Sequence, residues 1–194
     1  TSISRESHVS LIAEKGMVVY PKQSLKMISP TSKDRIGTGV PGLDERVQGG
    51  FLMNSSTILA GPSGSGKTTF GFQFAAQGVR DGLKSIFCSL EESPAEIRTT
   101  AKSLDVDVEQ LEKKGLELLA WIPEQQSPDA LMSELASRIK VLKPSLLVLD
   151  GLSTFEHLYS QEMYSITKRL VNLAESYGIT SIFTYLIDQE PGPS

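Results

Sequence analysis

Nine residues, GPSGSGKTT from Gly61 to Thr69, have the types and spacing of a phosphate-binding loop. Glycines let backbone N–H groups approach phosphate oxygens closely, and the lysine brings a positive charge to the β and γ phosphates. The alternative is a glycine-rich turn that binds nothing, but a strand-like segment before the loop and a helical segment after it favour binding. The predicted nucleotide-binding residues are Gly61, Ser63, Gly64, Ser65, Gly66, Lys67, Thr68 and Thr69.

Two oxygen-bearing side chains from separate segments could hold Mg²⁺ beside those phosphates. Thr68 ends the loop pattern, and its hydroxyl is a suitable Mg²⁺ ligand. Asp150 ends the apolar run SLLVLD, as expected for the carboxylate that a buried Walker B strand delivers to the metal. An ordinary polar residue at a strand end is the alternative interpretation of Asp150. We predict Mg²⁺ as a cofactor with Thr68 and Asp150 as its ligands.

Two adjacent carboxylates, Glu91 and Glu92, follow directly after the apolar run SIFCSL. Ligands of open α/β sheets bind just beyond the carboxyl ends of the strands, which is the edge that also carries the loop and Asp150. A carboxylate there can orient and polarise a water molecule for attack on the γ-phosphate, and a second carboxylate favours proton uptake by like-charge repulsion. We predict Glu91, Glu92 and Lys67 as the catalytic residues, with Glu92 assisting Glu91.

A helix start offers a second explanation for the two acids. Ser93 is a good N-cap residue, Pro94 suits the first turn, and Glu96 has the spacing of a capping box. Acids near a helix N-terminus are favourable for the helix dipole alone. Both explanations place the pair at the end of the preceding strand, and they differ in whether the carboxylates act on a substrate.

Five apolar runs of strand length supply the elements that must position these residues, and helical patterns separate most of them. The runs are STILA (56–60), SIFCSL (85–90), LELLA (116–120), SLLVLD (145–150) and TSIFTYL (180–186). The fourth is continuously apolar, which is typical of strands buried on both faces in parallel sheets. Amphipathic helices are predicted after Ser127 and before Gly178. The order indicates a doubly wound α/β domain.

The composition is that of one ordinary globular domain, with 39% hydrophobic residues and a formal net charge of −4. That charge disfavours strong nonspecific nucleic-acid binding without excluding a DNA partner. Cys88 is the single cysteine and is predicted to be a small buried hydrophobe. We see no signal peptide and no membrane-spanning run, so a cytoplasmic protein without membrane contact is expected.

The segment RIGTGVPGLDERVQGGFLMNSSTILAGPSGSGKTT resembles the entry to a KaiC-type ATPase domain of the RecA-like P-loop superfamily. SLEESPAEI resembles the paired catalytic glutamates of that family, KPSLLVLDGLS its Walker B strand, and GITSIFT the strand that follows. The resemblance covers about residues 35 to 188. Two positions near the expected γ-phosphate depart from it: Gly151 stands where serine is common, and Tyr185 where an amide is common.

The resemblance implies a RecA-like α/β fold, a mostly parallel sheet flanked by helices, and Mg²⁺-dependent hydrolysis of ATP rather than GTP. It also implies a homo-hexameric ring with regulatory protein partners, in signalling or circadian-clock-type regulation, and leaves autophosphorylation of serine or threonine open. Two other functional classes remain: a motor ATPase for DNA recombination, repair or unwinding, and a binding module whose ATP only stabilises a ring.

The N-terminal segment SHVSLIAEKGMVVYP is similar to the closing hairpin of one KaiC-type domain, just before the linker to a second. We therefore predict a tail hairpin and linker over residues 1–34 and an ATPase core over residues 35–194 that resembles the second KaiC domain. A flexible N-terminal arm is the alternative. The family's base contacts, its basic residue acting on the neighbouring subunit and its phosphorylation sites are expected beyond Ser194.

Overall fold

The computed structural model describes residues 7–12, 16–21 and 33–187. The elements in chain order are β1 (Ser7–Ile12), β2 (Gly16–Pro21), β3 (Arg35–Ile36), α1 (Leu43–Arg46), β4 (Phe51–Leu52), β5 (Ser56–Gly61), α2 (Lys67–Arg80), β6 (Ser85–Ser89), α3 (Pro94–Ser103), α4 (Val108–Lys114), β7 (Leu116–Ala120), α5 (Pro128–Leu142), β8 (Leu146–Asp150), α6 (Thr154–Tyr159), α7 (Met163–Ser176) and β9 (Thr180–Leu186). Each of the five apolar runs forms a strand, as predicted.

These five strands form one parallel sheet in the order β5-β9-β8-β6-β7. The last strand in the chain, β9, therefore lies between the strand before the phosphate loop and the strand that ends in Asp150. Parallel strands share one carboxyl edge, so the loop after β5, the acids after β6 and Asp150 are brought to the same edge. The predicted mostly parallel sheet flanked by helices is confirmed.

Helices cover both faces of the sheet and create two hydrophobic cores. Strand β8 shows the division, because Leu147 and Leu149 belong to the core beneath α5, α6 and α7. Leu146 and Val148 belong to the other core, beneath α2, α3 and α4. All five residues of β8 are buried, which explains its continuously apolar sequence. The carboxylate of Asp150 is thus held at the end of a strand fixed from both sides.

The helix ends follow the predicted signals closely. Ser127 caps α5 by accepting a hydrogen bond from the Ala130 N–H at 3.3 Å. Leu131, Leu135 and Ile139 form a buried face of α5, and Ile166, Leu170 and Leu173 form a buried face of α7. Cys88 is fully buried in the core, and burial raises the pKa of its thiol to about 12. Its predicted role as a small hydrophobe is confirmed.

A short glycine-rich hairpin, formed by β3 and β4 with α1 between them, packs against α2. The Arg35 guanidinium holds the hairpin by donating to the carbonyls of Val47 at 3.0 Å and Gly50 at 2.6 Å. A Cβ at Gly50 would lie 2.0 Å from the Ile36 carbonyl oxygen, so this crossing requires glycine. The Gln73 side chain of α2 donates to the Gly39 carbonyl at 3.1 Å. This packing fixes the helix that begins at the phosphate loop.

At the N-terminus β1 and β2 pair antiparallel, with Ser7 opposite Pro21 and Ile12 opposite Gly16. The predicted hairpin is confirmed, and its second strand lies beside α5. Residues 1–6, 13–15 and 22–32 of the predicted tail and linker, and residues 188–194 of the predicted core, lie outside the described residues. The division into a tail and a core stays a prediction. In the part of the chain that is described, no helix has the length and apolar character needed to span a bilayer.

Candidate functional site

A cavity of about 330 Å³ opens at the carboxyl edge of the sheet. The phosphate loop and the start of α2 contribute Ser63, Gly64, Gly66, Lys67, Thr68 and Thr69 to its lining. The other lining residues are Glu91, Asp150, Gly151, Ser153, Thr184 and Leu186. The structure therefore brings together most of the predicted site residues. Gly61, Ser65 and Glu92 are within two residues of lining residues in the sequence but do not themselves line the cavity.

The loop has the backbone conformation that its glycines permit. Gly64 and Gly66 have φ angles of +74° and +84°, which residues with a side chain rarely adopt. A Cβ at Gly61 would lie 2.7 Å from the Ser65 hydroxyl oxygen, so close packing requires glycine there. Gly66 is the N-cap of α2 and has no side chain to occupy the free N–H groups of the first turn. These N–H groups and the helix dipole suit an anion such as phosphate.

The Lys67 ammonium lies across this loop. Its Nζ donates to the Pro62 carbonyl at 2.7 Å and to the Ser65 hydroxyl at 3.5 Å. Its charge also acts on Asp150 and opposes the rise in the pKa of that carboxyl. The positive charge therefore lies at the loop and is near enough to the end of β8 to act on Asp150.

Asp150 is only 1% exposed, and its two carboxylate oxygens have different surroundings. Oδ1 accepts a hydrogen bond from the Thr184 hydroxyl at 2.7 Å. Oδ2 is buried and has no hydrogen-bond partner among the described residues. Burial raises the pKa of Asp150, while the Thr184 hydroxyl, the nearby Thr68 hydroxyl and the charge of Lys67 lower it. A buried acceptor without a protein partner is costly, so this oxygen is available to a metal ion or a water molecule.

The donor set fits Mg²⁺ bound together with a phosphate group. Mg²⁺ takes oxygen ligands, keeps several waters and is usually held by one or two carboxylates plus substrate phosphates. Asp150 Oδ2 and the Thr68 hydroxyl supply oxygens of this kind at the cavity. No cluster of three or more His, Cys, Asp or Glu side chains occurs in the described ranges to form an all-protein cage.

Thr184 was not predicted as a site residue. Its hydroxyl donates to Asp150 Oδ1 and accepts a hydrogen bond from the Gly151 N–H at 2.8 Å. It is fully buried in β9, the strand next to β8. The only signal in the sequence was a hydroxyl within the otherwise apolar end of TSIFTYL. By contrast, Tyr185 does not line the cavity, and its hydroxyl is hydrogen-bonded to Glu156.

The two acids after β6 are held by one hydroxyl but differ in their surroundings. The Ser89 hydroxyl accepts from the N–H groups of Glu91 at 3.2 Å and Glu92 at 2.9 Å. Glu91 lines the cavity, and the Thr154 hydroxyl donates to its Oε1 at 3.4 Å. Glu92 is partly buried, and burial, Asp150 and the neighbouring glutamates raise its pKa. Only Glu91 is therefore in a position to meet a molecule in the cavity.

The predicted helix start is also present, and it is complete without the two acids. The Ser93 hydroxyl accepts from the Glu96 N–H at 3.3 Å, and a Glu96 carboxylate oxygen accepts from the Ser93 N–H at 2.8 Å. This capping box satisfies the first turn of α3. Neither Glu91 nor Glu92 takes part in this cap.

Comparison with known proteins agrees with this geometry. The family model described as the KaiC ATPase matches residues 36–193. The circadian clock oscillator protein KaiC of Rippkaea orientalis is 32% identical over 187 residues, covering 93% of this chain and 35% of that protein. KaiC 1 of Synechocystis sp. is 31% identical over 187 residues, with the same coverage of 93% and 35%. This chain spans about a third of the length of these relatives. With the RecA-like α/β fold, these matches show that the chain belongs to the KaiC ATPase family.

Proposed function

We propose that this chain binds Mg·ATP in the cavity at the carboxyl edge of the sheet and hydrolyses it to ADP and phosphate. One observation carries the proposal. Asp150 Oδ2, buried and without a partner among the described residues, lies in the same cavity as Lys67 and Glu91. A metal ligand, a cation for phosphates and a carboxylate for water are the three groups that phosphoryl transfer to water requires.

In this mechanism the loop N–H groups and Lys67 bind the β and γ phosphates. Asp150 and Thr68 would hold Mg²⁺, which neutralises charge on the phosphate oxygens when bound. Glu91 orients a water molecule towards the γ-phosphorus. A bond forms between the water oxygen and phosphorus, the bond from phosphorus to the bridging oxygen breaks, and ADP leaves. The proton lost by the water passes to the Glu91 carboxylate.

The test of this function is incubation of the full-length protein with γ-labelled ATP, following free phosphate and label on protein separately. Hydrolysis predicts release of free phosphate. Label on protein instead would indicate autokinase activity, and binding without either would indicate a module that holds ATP to stabilise an assembly. For the proposed function, phosphate release must depend on Mg²⁺.

We propose a regulatory role of the circadian-clock type for the whole protein, with regulatory protein partners, because the similar proteins are named as circadian clock oscillators. A DNA motor is disfavoured by the net charge of −4. Filter binding of single-stranded DNA at several salt concentrations would separate the two, because phosphate contacts make affinity fall steeply with salt.

We further propose that the full-length protein forms a homo-hexameric ring with nucleotide between subunits. Ser63, Gly64 and Gly66 line the cavity and are exposed, so a neighbouring subunit could reach the phosphate side of the site. Mass measurement with and without Mg·ATP is expected to show a six-subunit assembly stabilised by the nucleotide. A protein that stays monomeric at high concentration with ATP would contradict the ring.

A separate prediction concerns Thr184, the residue that holds Asp150. Thr184→Val keeps the shape of the side chain but removes the hydrogen bonds to Asp150 and Gly151. We expect Mg²⁺ affinity in the presence of ATP to fall by about 10- to 100-fold, the usual effect of losing a partner that orients a metal ligand. Titration calorimetry with Mg²⁺ measures this change.

Thr184→Ser is the matched control, because it retains the hydroxyl and should restore most of the Mg²⁺ affinity. If the Thr184→Val and Thr184→Ser variants both bind Mg²⁺ as tightly as the wild type does, Thr184 has no part in orienting Asp150.

A further inference from the structure

The Glu91 side chain lies directly against the α-carbon of Gly151, the residue that follows Asp150. A Cβ at Gly151 would lie 2.7 Å from Glu91 Cγ, 2.9 Å from Cδ and 3.0 Å from Oε1. Carbon atoms in van der Waals contact are separated by about 3.5 to 4.0 Å. A side chain at position 151 would therefore occupy the space of the Glu91 side chain and force it to move.

The backbone at Gly151 is fixed by hydrogen bonds on both sides. Its N–H donates to the Thr184 hydroxyl at 2.8 Å, and its carbonyl accepts from the Thr154 N–H at 2.9 Å. Because these bonds tie the peptide to β9 and α6, the backbone cannot easily move away from an added side chain. The flexible Glu91 side chain would be displaced instead.

Thr154 completes the contact surface for Glu91. Its hydroxyl donates to Glu91 Oε1 at 3.4 Å, while its N–H is bonded to Gly151. Gly151 thus provides space for the carboxylate, and Thr154 provides a hydrogen bond beside that space. Both Glu91 and Gly151 line the cavity next to Asp150.

We propose that Gly151 is a positioning residue for hydrolysis, because the absence of a side chain there lets the Glu91 carboxylate lie over the end of β8, inside the cavity. The inference rests on the proposed function, in which Glu91 accepts the proton of the attacking water. It adds that in this chain, which has glycine where serine is common in the family, the rate of hydrolysis depends on the space at Gly151, while binding of ATP does not.

The test is Gly151→Ala in the full-length protein. We expect kcat for ATP hydrolysis to fall by roughly tenfold to a hundredfold, since a displacement of about 1 Å can cost a hundredfold in rate. The apparent affinity for Mg·ATP, measured by thermal stabilisation, should stay within about twofold, a change that shifts stabilisation little. A decrease in kcat with unchanged binding separates misplacement of Glu91 from general damage to the site.

Backbone strain needs its own control, because Gly151 has a φ of +90° and any other residue is strained there. Gly82, at the turn after α2, has a φ of +84°, and a Cβ there would meet no atom of the described chain within 4 Å. Gly82→Ala therefore reproduces the strain without the contact, and should lower the melting temperature without slowing hydrolysis. Gly151→Asn is a second variant, since asparagine tolerates positive φ better than alanine yet still carries a Cβ. It should also hydrolyse ATP slowly.

Combining Gly151→Ala with Glu91→Ala tests whether the two positions act through one contact. Glu91→Ala removes Cγ, Cδ and Oε1, so Gly151→Ala should slow hydrolysis no further in that background. The inference is overturned if Gly151→Ala and Gly151→Asn turn over at the wild-type rate while Glu91→Ala is slow. It is also overturned if Gly151→Ala slows both backgrounds equally. If Glu91→Ala itself keeps the wild-type rate, the proposed role of Glu91 fails as well.

Discussion

Lys67→Ala should remove nearly all of the thermal stabilisation that Mg·ATP gives to the protein. Lys67 is the cation of the phosphate loop, and its charge also acts on Asp150. Without Lys67, the negative β and γ phosphates no longer face a positive charge from the loop. At a ligand concentration of 100 times Kd, binding stabilises a protein by about 2.7 kcal/mol, and a hundredfold loss of affinity reduces this to about 0.4 kcal/mol. Melting with and without Mg·ATP measures the difference.

Two controls make the Lys67 result specific. Lys67 also donates to Pro62 and Ser65, so the variant must melt near the wild-type temperature without nucleotide. Lys140→Ala removes an exposed lysine of α5 away from the cavity lining and should leave nucleotide stabilisation unchanged. Stabilisation of Lys67→Ala equal to that of the wild type would show that residues 61 to 68 are not the nucleotide site.

The fold was predictable from the sequence because several local signals agreed. The continuously apolar run before Asp150 indicated a strand buried on both faces, and β8 is buried throughout. Ser93 and Glu96 indicated a helix start, and they form the capping box of α3. Signals of this kind depend on neighbouring residues, so they can be recognised without knowledge of the whole structure.

The order of the strands was not predictable in the same way. β9 pairs with both β5 and β8, although β6, β7 and β8 separate it from β5 in the chain. This placement brings Thr184 beside Asp150, which the sequence of β9 alone does not indicate. A buried threonine in a strand usually fills a packing position, and its hydrogen bond becomes visible only once the neighbouring strand is known.

Gly151 shows a second limit of sequence reasoning. In the sequence it stood out only as a departure from a common serine, while its contact with the Glu91 side chain joins two residues that are 60 positions apart in the chain. Likewise, adjacent acids in a loop cannot be told apart by composition. The structure separates them, because Glu91 lines the cavity and Glu92 does not.

The paired replacement of Glu91 and Glu92 by glutamine should leave Mg·ATP binding near the wild-type level and slow hydrolysis by roughly a hundredfold or more, the usual scale for a positioned base. Glutamine keeps the size and much of the hydrogen bonding of glutamate but cannot accept the proton of the attacking water. Thermal stabilisation by Mg·ATP and release of free phosphate, measured on the same preparation, give the two quantities.

The single replacements should not be equivalent. Glu91→Gln is expected to account for most of the loss, because Glu91 lines the cavity and is held by Thr154. Glu92→Gln should have a smaller effect, since Glu92 lies outside the lining of the cavity. A larger loss from Glu92→Gln than from Glu91→Gln would reverse the roles assigned to the two acids.

Ser93→Ala distinguishes catalysis from helix capping. It removes the side-chain cap of α3 and should destabilise the protein by about 1 kcal/mol, without a comparable loss of hydrolysis by the folded protein. The variant with both glutamates replaced by glutamine should instead keep its stability and lose hydrolysis, because Ser93 and Glu96 already satisfy the helix start. If that variant instead binds ATP normally and hydrolyses it at the wild-type rate, Glu91 and Glu92 only accompany the start of α3, and the water must be activated by another group.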